Sequence, residues 1–182
     1  TIVIAVLVAL ALVAAFLFSE EYRLERVKAF LNPEQDITGG NWQPTQSLYA
    51  IGSGGLFGLG FTNSRQKYSY VSEPQNDFIF AIVCEELGFV GAATIIILFA
   101  LLVYRGIYIG LRAKDRFGAL LSMGIAFQIG IQVALNIAVV SDLIPNTGIS
   151  LPFFSAGGTS IFILLCEMGM LLSISRSMRK KG

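Results

Sequence analysis

Four long apolar stretches separated by polar segments dominate the pattern of the chain. They cover residues 1–18, 78–104, 117–140 and 159–174. At about 1.5 Å of rise per residue, helices of these lengths cover roughly the 30 Å hydrocarbon core of a bilayer. The pattern therefore predicts an all-α membrane protein, a polytopic helical bundle with four transmembrane helices. A signal peptide is the alternative for the first stretch, but no basic segment precedes it and no small-residue cleavage site follows it.

A large segment, residues 19–77, separates the first two stretches. It opens with E-Y-R-L-E-R-V-K-A-F-L, whose apolar and charged residues alternate at helical spacing, which predicts an amphipathic helix at the membrane surface. The glycine-rich stretch Q-S-L-Y-A-I-G-S-G-G-L-F-G-L-G-F follows and is too short and too interrupted to span. We expect a re-entrant segment there, with its backbone buried against protein or a wet cavity. It lacks the G-x-G-x-x-G dinucleotide fingerprint.

Composition supports a membrane protein and excludes several classes of site. The chain is 54% hydrophobic and 14% charged, against about 45–50% and about 25% in an ordinary soluble domain. Because it has no histidine, histidine-based triads, metal ligands and proton shuttles are excluded. A net charge of +1 gives no electrostatic basis for binding nucleic acid. The two cysteines lie in apolar runs, so neither a disulfide framework nor a zinc site is indicated.

Basic residues predict the orientation of the spans. The segment 105–116 carries four basic residues and one acidic residue, the tail after residue 174 carries four more basic residues, and residues 141–158 carry none. The positive-inside rule then places 105–116 and the C-terminus in the cytoplasm. The segments 19–77 and 141–158 are predicted to be outside. Five basic residues in 19–77 weaken this orientation without reversing it, since they are spread over a long segment.

Three carboxylates lie inside predicted spans, where ionisable groups are expensive and functional by default. Glu85 and Glu86 lie about two turns into the second span, and Glu167 lies in the fourth. Adjacent helical positions point about 100° apart, so the two neighbouring glutamates are not expected to face the same partner. An interhelical ion pair and a role in a substrate cavity both remain open for this pair. Glu167 is interpreted as structural.

A polar row marks one face of the third span. Gln128, Gln132 and Asn136 are spaced four residues apart and therefore share one side of a helix. In a bilayer such a row is expected to turn inward and form hydrogen bonds with neighbouring helices. Structural attachment and the lining of a polar cavity are both consistent with the spacing.

Two carboxylates close the 19–77 segment, in the motif S-E-P-Q-N-D-F. Asn76 or Asp77 is positioned to cap the N-terminus of the second span. The functional alternative for Asp77 is a general base at the membrane boundary, beneath an apolar loop. With Glu73 it is also a candidate ligand for a divalent cation, although two carboxylates make a weak metal signature. Spacing alone leaves these alternatives open.

Four motifs in order resemble the SEDS family, named for shape, elongation, division and sporulation. They are Y-R-L-E-R-V-K-A-F-L-N-P, Q-S-L-Y-A-I-G-S-G-G-L-F-G, E-P-Q-N-D-F-I-F-A-I-V-C-E-E-L-G-F-V-G and N-I-A-V-V-S-D-L-I-P-N-T-G-I-S-L-P-F-F-S-A-G-G-T-S. The resemblance covers essentially the whole chain and is strongest to the division and sporulation branch. Since the family has about ten spans and this chain starts inside an apolar run, we expect it to be the C-terminal part of a longer protein.

The resemblance implies an activity and a cellular setting. Family members are multi-pass proteins of the bacterial inner membrane that polymerise lipid II into glycan strands and release undecaprenyl diphosphate. They act with a class B penicillin-binding protein, a transpeptidase, and with other membrane proteins of division or elongation. The essential aspartate of the family lies in the D-F-I-F-A motif, which makes Asp77 the expected catalytic residue. The isolated chain is expected to be inactive if half of the cavity is missing.

The resemblance also implies candidate substrate-binding residues, which fall in the two predicted outside loops except for Asn136 in the third span. The leaving diphosphate requires cations, either Mg²⁺ or Mn²⁺ held by Asp77 and Glu73, or basic side chains near the membrane surface. The basic candidates are Lys67 and Arg65, with Arg23 and Arg26 as further options. The remaining candidates for substrate contact are Glu73, Asn136, Thr147, Ser155, Gly157 and Gly158.

Two other classes of function compete with polymerisation. A lipid II flippase or another transporter would use membrane-embedded glutamates, broken segments and a polar helix face. It would depend on Glu85, Glu86 or the polar row rather than on Asp77. A non-catalytic scaffold that recruits a penicillin-binding protein would depend on none of these side chains.

Overall fold

The structure, a computed structural model, describes residues 26–28, 30–31, 42–62, 77–154 and 157–179. Four helices are described in full: α1 (Trp42–Gly54), α2 (Ile79–Arg112), α3 (Arg116–Val140) and α4 (Gly158–Arg179). The residues at 26–28 and 30–31 are also helical, and the described ranges contain no strand. The all-α prediction is therefore confirmed for this part of the chain. The predicted first span, residues 1–18, lies outside the described residues.

Three of these helices, α2, α3 and α4, are long and apolar enough to cross a membrane. Between 17% and 39% of the most apolar window of each is buried within the protein. Much of their apolar surface is thus exposed, as expected of helices that face lipid. Helix α1 has only 13 residues and reaches about 20 Å, which is short of a span.

Helices α2 and α3 form an antiparallel hairpin whose close approach depends on small residues. Gly106 and Gly110 of α2 face Ala126 and Met123 of α3, and a Cβ added at either glycine would come within 3 Å of those side chains. Side chains of this size allow two membrane helices to pack with their backbones close together. The hairpin defines two ends of the bundle, called below the Asp77 end and the Arg112 end.

The connection at the Arg112 end is shorter than the sequence indicated. Residues 105–112, predicted as part of a loop, continue α2 because their glycines still pack against α3. The guanidinium groups of Arg105 and Arg112 lie 5.7 Å and 4.6 Å from the ring centroid of Tyr108, at cation–π distances. Asp115 then caps α3, accepting a 2.7 Å hydrogen bond from the backbone N–H of Gly118.

Helix α2 is broken at Gly88, whose φ of 66° and ψ of −168° are not helical. The loop after α1, residues 55–60, fills this break. The N–H groups of residues 59 and 60 donate to the carbonyl oxygens of Glu85 and Glu86. The carbonyl oxygens of residues 55 and 56 accept from the N–H groups of residues 89 and 90. All four hydrogen bonds are 2.9–3.2 Å long. The polar groups released by the break are thereby paired, which a membrane interior requires.

The segment between α3 and α4 returns into the bundle. Leu151 is 1% exposed, and the ring of Phe99 on α2 lies 6.5 Å and 6.3 Å from the rings of Phe153 and Phe154. Phe99 is 13 residues from the Arg112 end of its helix, or about 20 Å along the axis. The segment therefore reaches well below the Asp77 end before α4 begins.

Candidate functional site

Asp77 lies in a bend immediately before α2, at the end where α2, α3 and the 141–157 segment meet. Asp77 is half-buried, whereas the neighbouring Phe78 is only 2% exposed. The predicted capping role is wrong for Asp77, because Phe78 occupies the N-cap position and no side chain forms a cap hydrogen bond there. The bulk of Phe78 instead anchors the start of the helix in the core.

The turn that faces Asp77 is built by the P-N-T-G motif. The side-chain carbonyl of Asn146 accepts a 3.1 Å hydrogen bond from the N–H of Gly148, the local turn that asparagine favours. Gly148 has φ of +72° and is exposed, a conformation that glycine adopts without strain. A Cβ at this position would lie 3.7 Å from Oδ2 of Asp77. The turn thus lies in van der Waals range of the carboxylate, with its glycine exposed.

Arg26 is the basic residue that the structure places at this site. Its Nη1 donates a 2.8 Å hydrogen bond to the backbone carbonyl of Asn146, and the same atom lies 3.9 Å from the Cβ position of Gly148. The carboxylate and the guanidinium are thus both about 4 Å from one point. Burial lowers the pKa of Arg26, and the negative charge of Asp77 raises it in partial compensation. Arginine remains positively charged at neutral pH regardless.

Asn136 of α3 links the backbone at Asp77 to the backbone that follows Gly148. It is 0% exposed, and its Nδ2 donates 2.8 Å hydrogen bonds to the carbonyl oxygens of Asp77 and Ile149. A fully buried amide with both N–H groups engaged is not placed to contact a substrate. The predicted substrate contact by Asn136 is therefore replaced by a backbone attachment.

The other two members of the polar row form attachments as well. Gln132 donates a 3.0 Å hydrogen bond to the carbonyl of Ser150. Gln128 donates a 3.0 Å hydrogen bond to Oε1 of Glu167 on α4. Of the two interpretations of the row, structural attachment is thus the one that the structure favours. Glu167 is 8% exposed and acquires in Gln128 the partner that the sequence did not identify.

Glu85 and Glu86 are both buried, at 1% and 9% exposure, although they point in different directions from α2. Both side chains are buried because the loop 55–60 packs against α2 at the break and covers a second face of the helix. Within the described residues, Oε1 of Glu86 has no hydrogen-bond partner. The structure does not bring either glutamate into contact with the turn at Gly148.

The remaining predicted site residues are distributed as follows. Thr147 lies in the exposed turn beside Asp77, and Gly157 and Gly158 are exposed at the start of α4. The other four candidates lie outside the described residues: Glu73, Lys67, Arg65 and Ser155. Sequence reasoning expected Gly148 to shape a turn facing the cavity but missed Asn146. The P-N-T-G turn signature was the available signal, but only contact with Arg26 gives it a place in the site.

Glu73, the second predicted ligand of the divalent cation, lies outside the described residues, so the cation stays a prediction. No group of three or more cysteine or carboxylate side chains occurs in the described ranges, and the neighbour found for Asp77 is a guanidinium. Mg²⁺ binds through one or two carboxylates together with substrate phosphates, so Asp77 alone does not make a complete cation site. What the arrangement offers is a proton acceptor and a fixed positive charge beside the same exposed glycine turn, at one end of a membrane bundle.

Comparison with known proteins identifies relatives of the whole chain. Residues 1–180 match the family of cell cycle proteins that comprises FtsW, RodA and SpoVE. Stage V sporulation protein E of Bacillus subtilis is 50% identical over 173 residues, which are 95% of this chain and 47% of that protein. The probable peptidoglycan glycosyltransferase FtsW of Trichlorobacter lovleyi is 46% identical over 173 residues, 95% of this chain and 45% of that protein. The chain thus spans about half the length of the curated relatives it matches.

Solved structures share the fold. One is a chain of a peptidoglycan synthase complex studied for its coordination of polymerization and crosslinking. It superposes with a TM-score of 0.70 at 27% identity, covering 99% of this chain and 49% of that one. Another is a mutant of the rod shape determining protein RodA of Thermus thermophilus, with a TM-score of 0.56 at 32% identity, covering 73% of this chain and 40% of that one.

Proposed function

The chain belongs to the FtsW, RodA and SpoVE family of cell cycle proteins, and on this premise we propose that it carries the general base of a peptidoglycan glycosyltransferase. The proposed reaction is the polymerisation of lipid II into glycan strands with release of undecaprenyl diphosphate. The single observation that carries the proposal is the meeting of Asp77, Arg26 and the glycine turn at one end of the bundle. The names of the relatives supply the substrate class.

Glycosyl transfer of this type requires a group that removes a proton and a group that stabilises a leaving anion. Asp77 takes the proton from the acceptor sugar hydroxyl as that oxygen attacks the anomeric carbon of the donor. The bond between the anomeric carbon and the phosphate oxygen breaks, and the electron pair leaves with the diphosphate. Arg26 is positioned to offer its fixed charge to that anion, and a guanidinium fork matches phosphate geometry.

A divalent cation is proposed as an auxiliary to this site rather than as a resident of it. Asp77 and Glu73 would hold Mg²⁺ or Mn²⁺, and the ion would supply positive charge that stabilises the leaving diphosphate. Because Arg26 already provides one positive charge, we expect activity to fall but not to vanish when chelator removes the cation. Dependence on the metal in lipid II polymerisation assays tests this directly.

We further propose that the Asp77 end faces the outside of the bacterial inner membrane and that the Arg112 end faces the cytoplasm. The excess of basic residues at the Arg112 end supports this orientation. We expect the partner transpeptidase, a class B penicillin-binding protein, to act on the same outside face. The solved relative from a peptidoglycan synthase complex that coordinates polymerization and crosslinking supports such a partner. Other membrane proteins of division or elongation are proposed as further partners. Labelling of cysteines introduced at Thr147 and Lys114 tests the orientation.

The decisive experiment measures lipid II polymerisation by a full-length family chain carrying this sequence, assayed with its penicillin-binding partner. Loss of a general base costs about 10²–10⁴-fold in rate, so Asp77→Asn should abolish measurable polymer. Arg26→Gln should lower the rate by about 10²-fold if it stabilises the leaving anion. Asp142→Asn is the matched control, since Asp142 is a half-buried aspartate beside α3 that takes no part in the proposed chemistry.

Each outcome separates the competing functions. Full activity of Asp77→Asn would refute the catalytic assignment and leave a scaffold. A transporter is indicated if lipid II crosses vesicle membranes normally in the Asp77→Asn variant and stops crossing in Glu85→Gln or Glu86→Gln. Polymerisation requires the opposite pattern, with the boundary aspartate dominant.

A further inference from the structure

We propose that Asn136 is a positioning residue that sets the geometry between the general base and the turn that binds Arg26. This inference rests on the proposed function of Asp77 and assigns a role to a residue that touches neither substrate nor leaving group. The feature that carries it is the sharing of one buried amide between two backbones. The two backbones come from separate segments that meet only at the site.

Both N–H groups of the Asn136 amide are used at the site. A primary amide has two N–H donors, and Nδ2 of Asn136 uses them on the carbonyl oxygens of Asp77 and Ile149, each at 2.8 Å. One side chain therefore fixes both the residue that carries the base and the residue directly after Gly148. Neither carbonyl can shift without lengthening a hydrogen bond to the same nitrogen.

The two attachments of Asn136 lead to the acidic and the basic group of the site. The backbone at Ile149 continues directly from Gly148, whose Cβ position lies 3.7 Å from Oδ2 of Asp77 and 3.9 Å from Nη1 of Arg26. Arg26 is in turn hydrogen-bonded to the carbonyl of Asn146. The separation between the proton acceptor and the guanidinium is thus controlled by the relative position of the two backbones that Asn136 joins.

Burial makes this attachment rigid. Asn136 is 0% exposed, and its neighbours in the core include Phe78 and Val140, at 2% and 0% exposure. In so dry an environment the two carbonyl groups have no water to bind if the amide is removed. Oδ1 of Asn136 is itself buried without a hydrogen-bond partner among the described residues. The orientation of the amide is set by its two acceptors at the site.

Two members of the same polar row provide the test and its control. Asn136→Leu removes both donors at similar volume, and Gln132→Leu removes one donor that reaches only the carbonyl of Ser150. Both leave an unpaired carbonyl of the same segment, but only the first also releases Asp77. Both should be measured in the full-length family chain with its penicillin-binding partner, together with Asp77→Asn. The readouts are kcat and KM for lipid II polymerisation, and the melting temperature in detergent.

Misplacement of a reacting group by about 1 Å costs about 10²-fold in rate. Asn136→Leu is therefore expected to lower kcat by about 100-fold with KM changed by less than about threefold, while Gln132→Leu keeps kcat within about threefold. A kcat for Asn136→Leu within threefold of wild type would overturn the proposal, and so would equal losses in both variants. If Asn136→Leu does not fold, Asn136→Ser decides. It retains one short donor and should lose about 10-fold in kcat, and an unchanged kcat overturns the proposal.

Failure of this proposal can be distinguished from failure of the proposed function. If Asp77→Asn is inactive and Asn136→Leu is fully active, Asp77 is the base but the amide does not position it. If Asp77→Asn retains full activity, the function assigned to Asp77 is wrong, and the positioning role is refuted with it.

Discussion

Replacing Gly58 with alanine should detach the loop that completes the broken helix. Gly58 has φ of +79°, and a Cβ added there would overlap the backbone carbonyl of Glu86 and the N–H of Gly88. Both obstacles are main-chain atoms of α2, so no side-chain rotation can relieve the overlap. The loop must therefore move away from the break.

The cost has two parts. An L-residue at positive φ is disfavoured by about 1–2 kcal/mol. Moving the loop also breaks the four hydrogen bonds between residues 55–60 and α2, each worth about 0.5–1.5 kcal/mol net. The free energy of unfolding should fall by about 3–8 kcal/mol. The upper part of this range applies where lipid rather than water meets the released groups, since none can then be satisfied by solvent.

Two neighbouring glycines provide graded controls. Gly55 has φ of +55° but nothing within 4 Å of its Cβ position, so Gly55→Ala should show only the strain of about 1–2 kcal/mol. Gly52 lies inside α1 with open space around it, and Gly52→Ala should stabilise the helix by about 0.5–1 kcal/mol.

Thermal unfolding in detergent, followed by the fluorescence of Trp42, measures this series. Trp42 is the only tryptophan in the sequence and begins α1, so its emission reports on the segment that carries the loop. The expected order of melting temperatures is Gly52→Ala highest, then wild type, then Gly55→Ala, with Gly58→Ala lowest. Equal melting temperatures for the Gly55 and Gly58 variants would show that the overlap with α2 has no energetic effect, and would refute the reasoning.

Three further changes test other contacts. Asp115→Ala removes the side-chain cap of α3 and should lower the free energy of unfolding by about 1 kcal/mol. Asp115→Asn should retain most of the capping stabilisation, and equal losses in the two variants would contradict the capping role. Gln128→Leu removes the amide that donates to the buried Glu167 carboxylate and should lower the free energy of unfolding by about 1–3 kcal/mol. The double variant Gln128→Leu/Glu167→Leu should largely recover this loss. Burial raises the pKa of Asp142 above its ordinary 3.8. The ionised carboxylate therefore destabilises the folded state at neutral pH, and protonation at lower pH removes this destabilisation. Asp142→Asn should therefore raise the melting temperature at pH 7, and that gain should disappear as the pH falls through the pKa of the carboxyl group.

The spans and the family could be predicted from the sequence because both are encoded locally. A bilayer imposes long apolar runs on any crossing helix, so hydropathy identified the regions of α2, α3 and α4 without knowledge of their contacts. The boundaries were less accurate. Residues 105–112 were predicted to be a loop because the segment contains charged residues. They are helical in the structure because Gly106 and Gly110 pack against α3.

The candidate site was only partly predictable. Asp77 stood out through its motif, and Arg26 was named among the basic candidates, but proximity in sequence ranked Lys67 and Arg65 ahead of it. Arg26 meets a residue 120 positions away, and no periodic pattern records a contact of that kind. Similarly, the spacing of the polar row showed that Asn136 faces inward without showing which carbonyl groups it would bind.

The sequence by itself determined that the protein is a helical membrane bundle, which family it belongs to, and which aspartate to examine, since chain hydropathy and linear motifs suffice for all three. Tertiary structure alone decided that a loop fills the break at Gly88, that Asn136 ties two segments together, and that Arg26 faces Asp77. The physical reason is the range of the interactions. Partition into lipid acts on each residue separately, whereas a hydrogen bond in a dry interior depends on which distant group the fold brings within 3 Å.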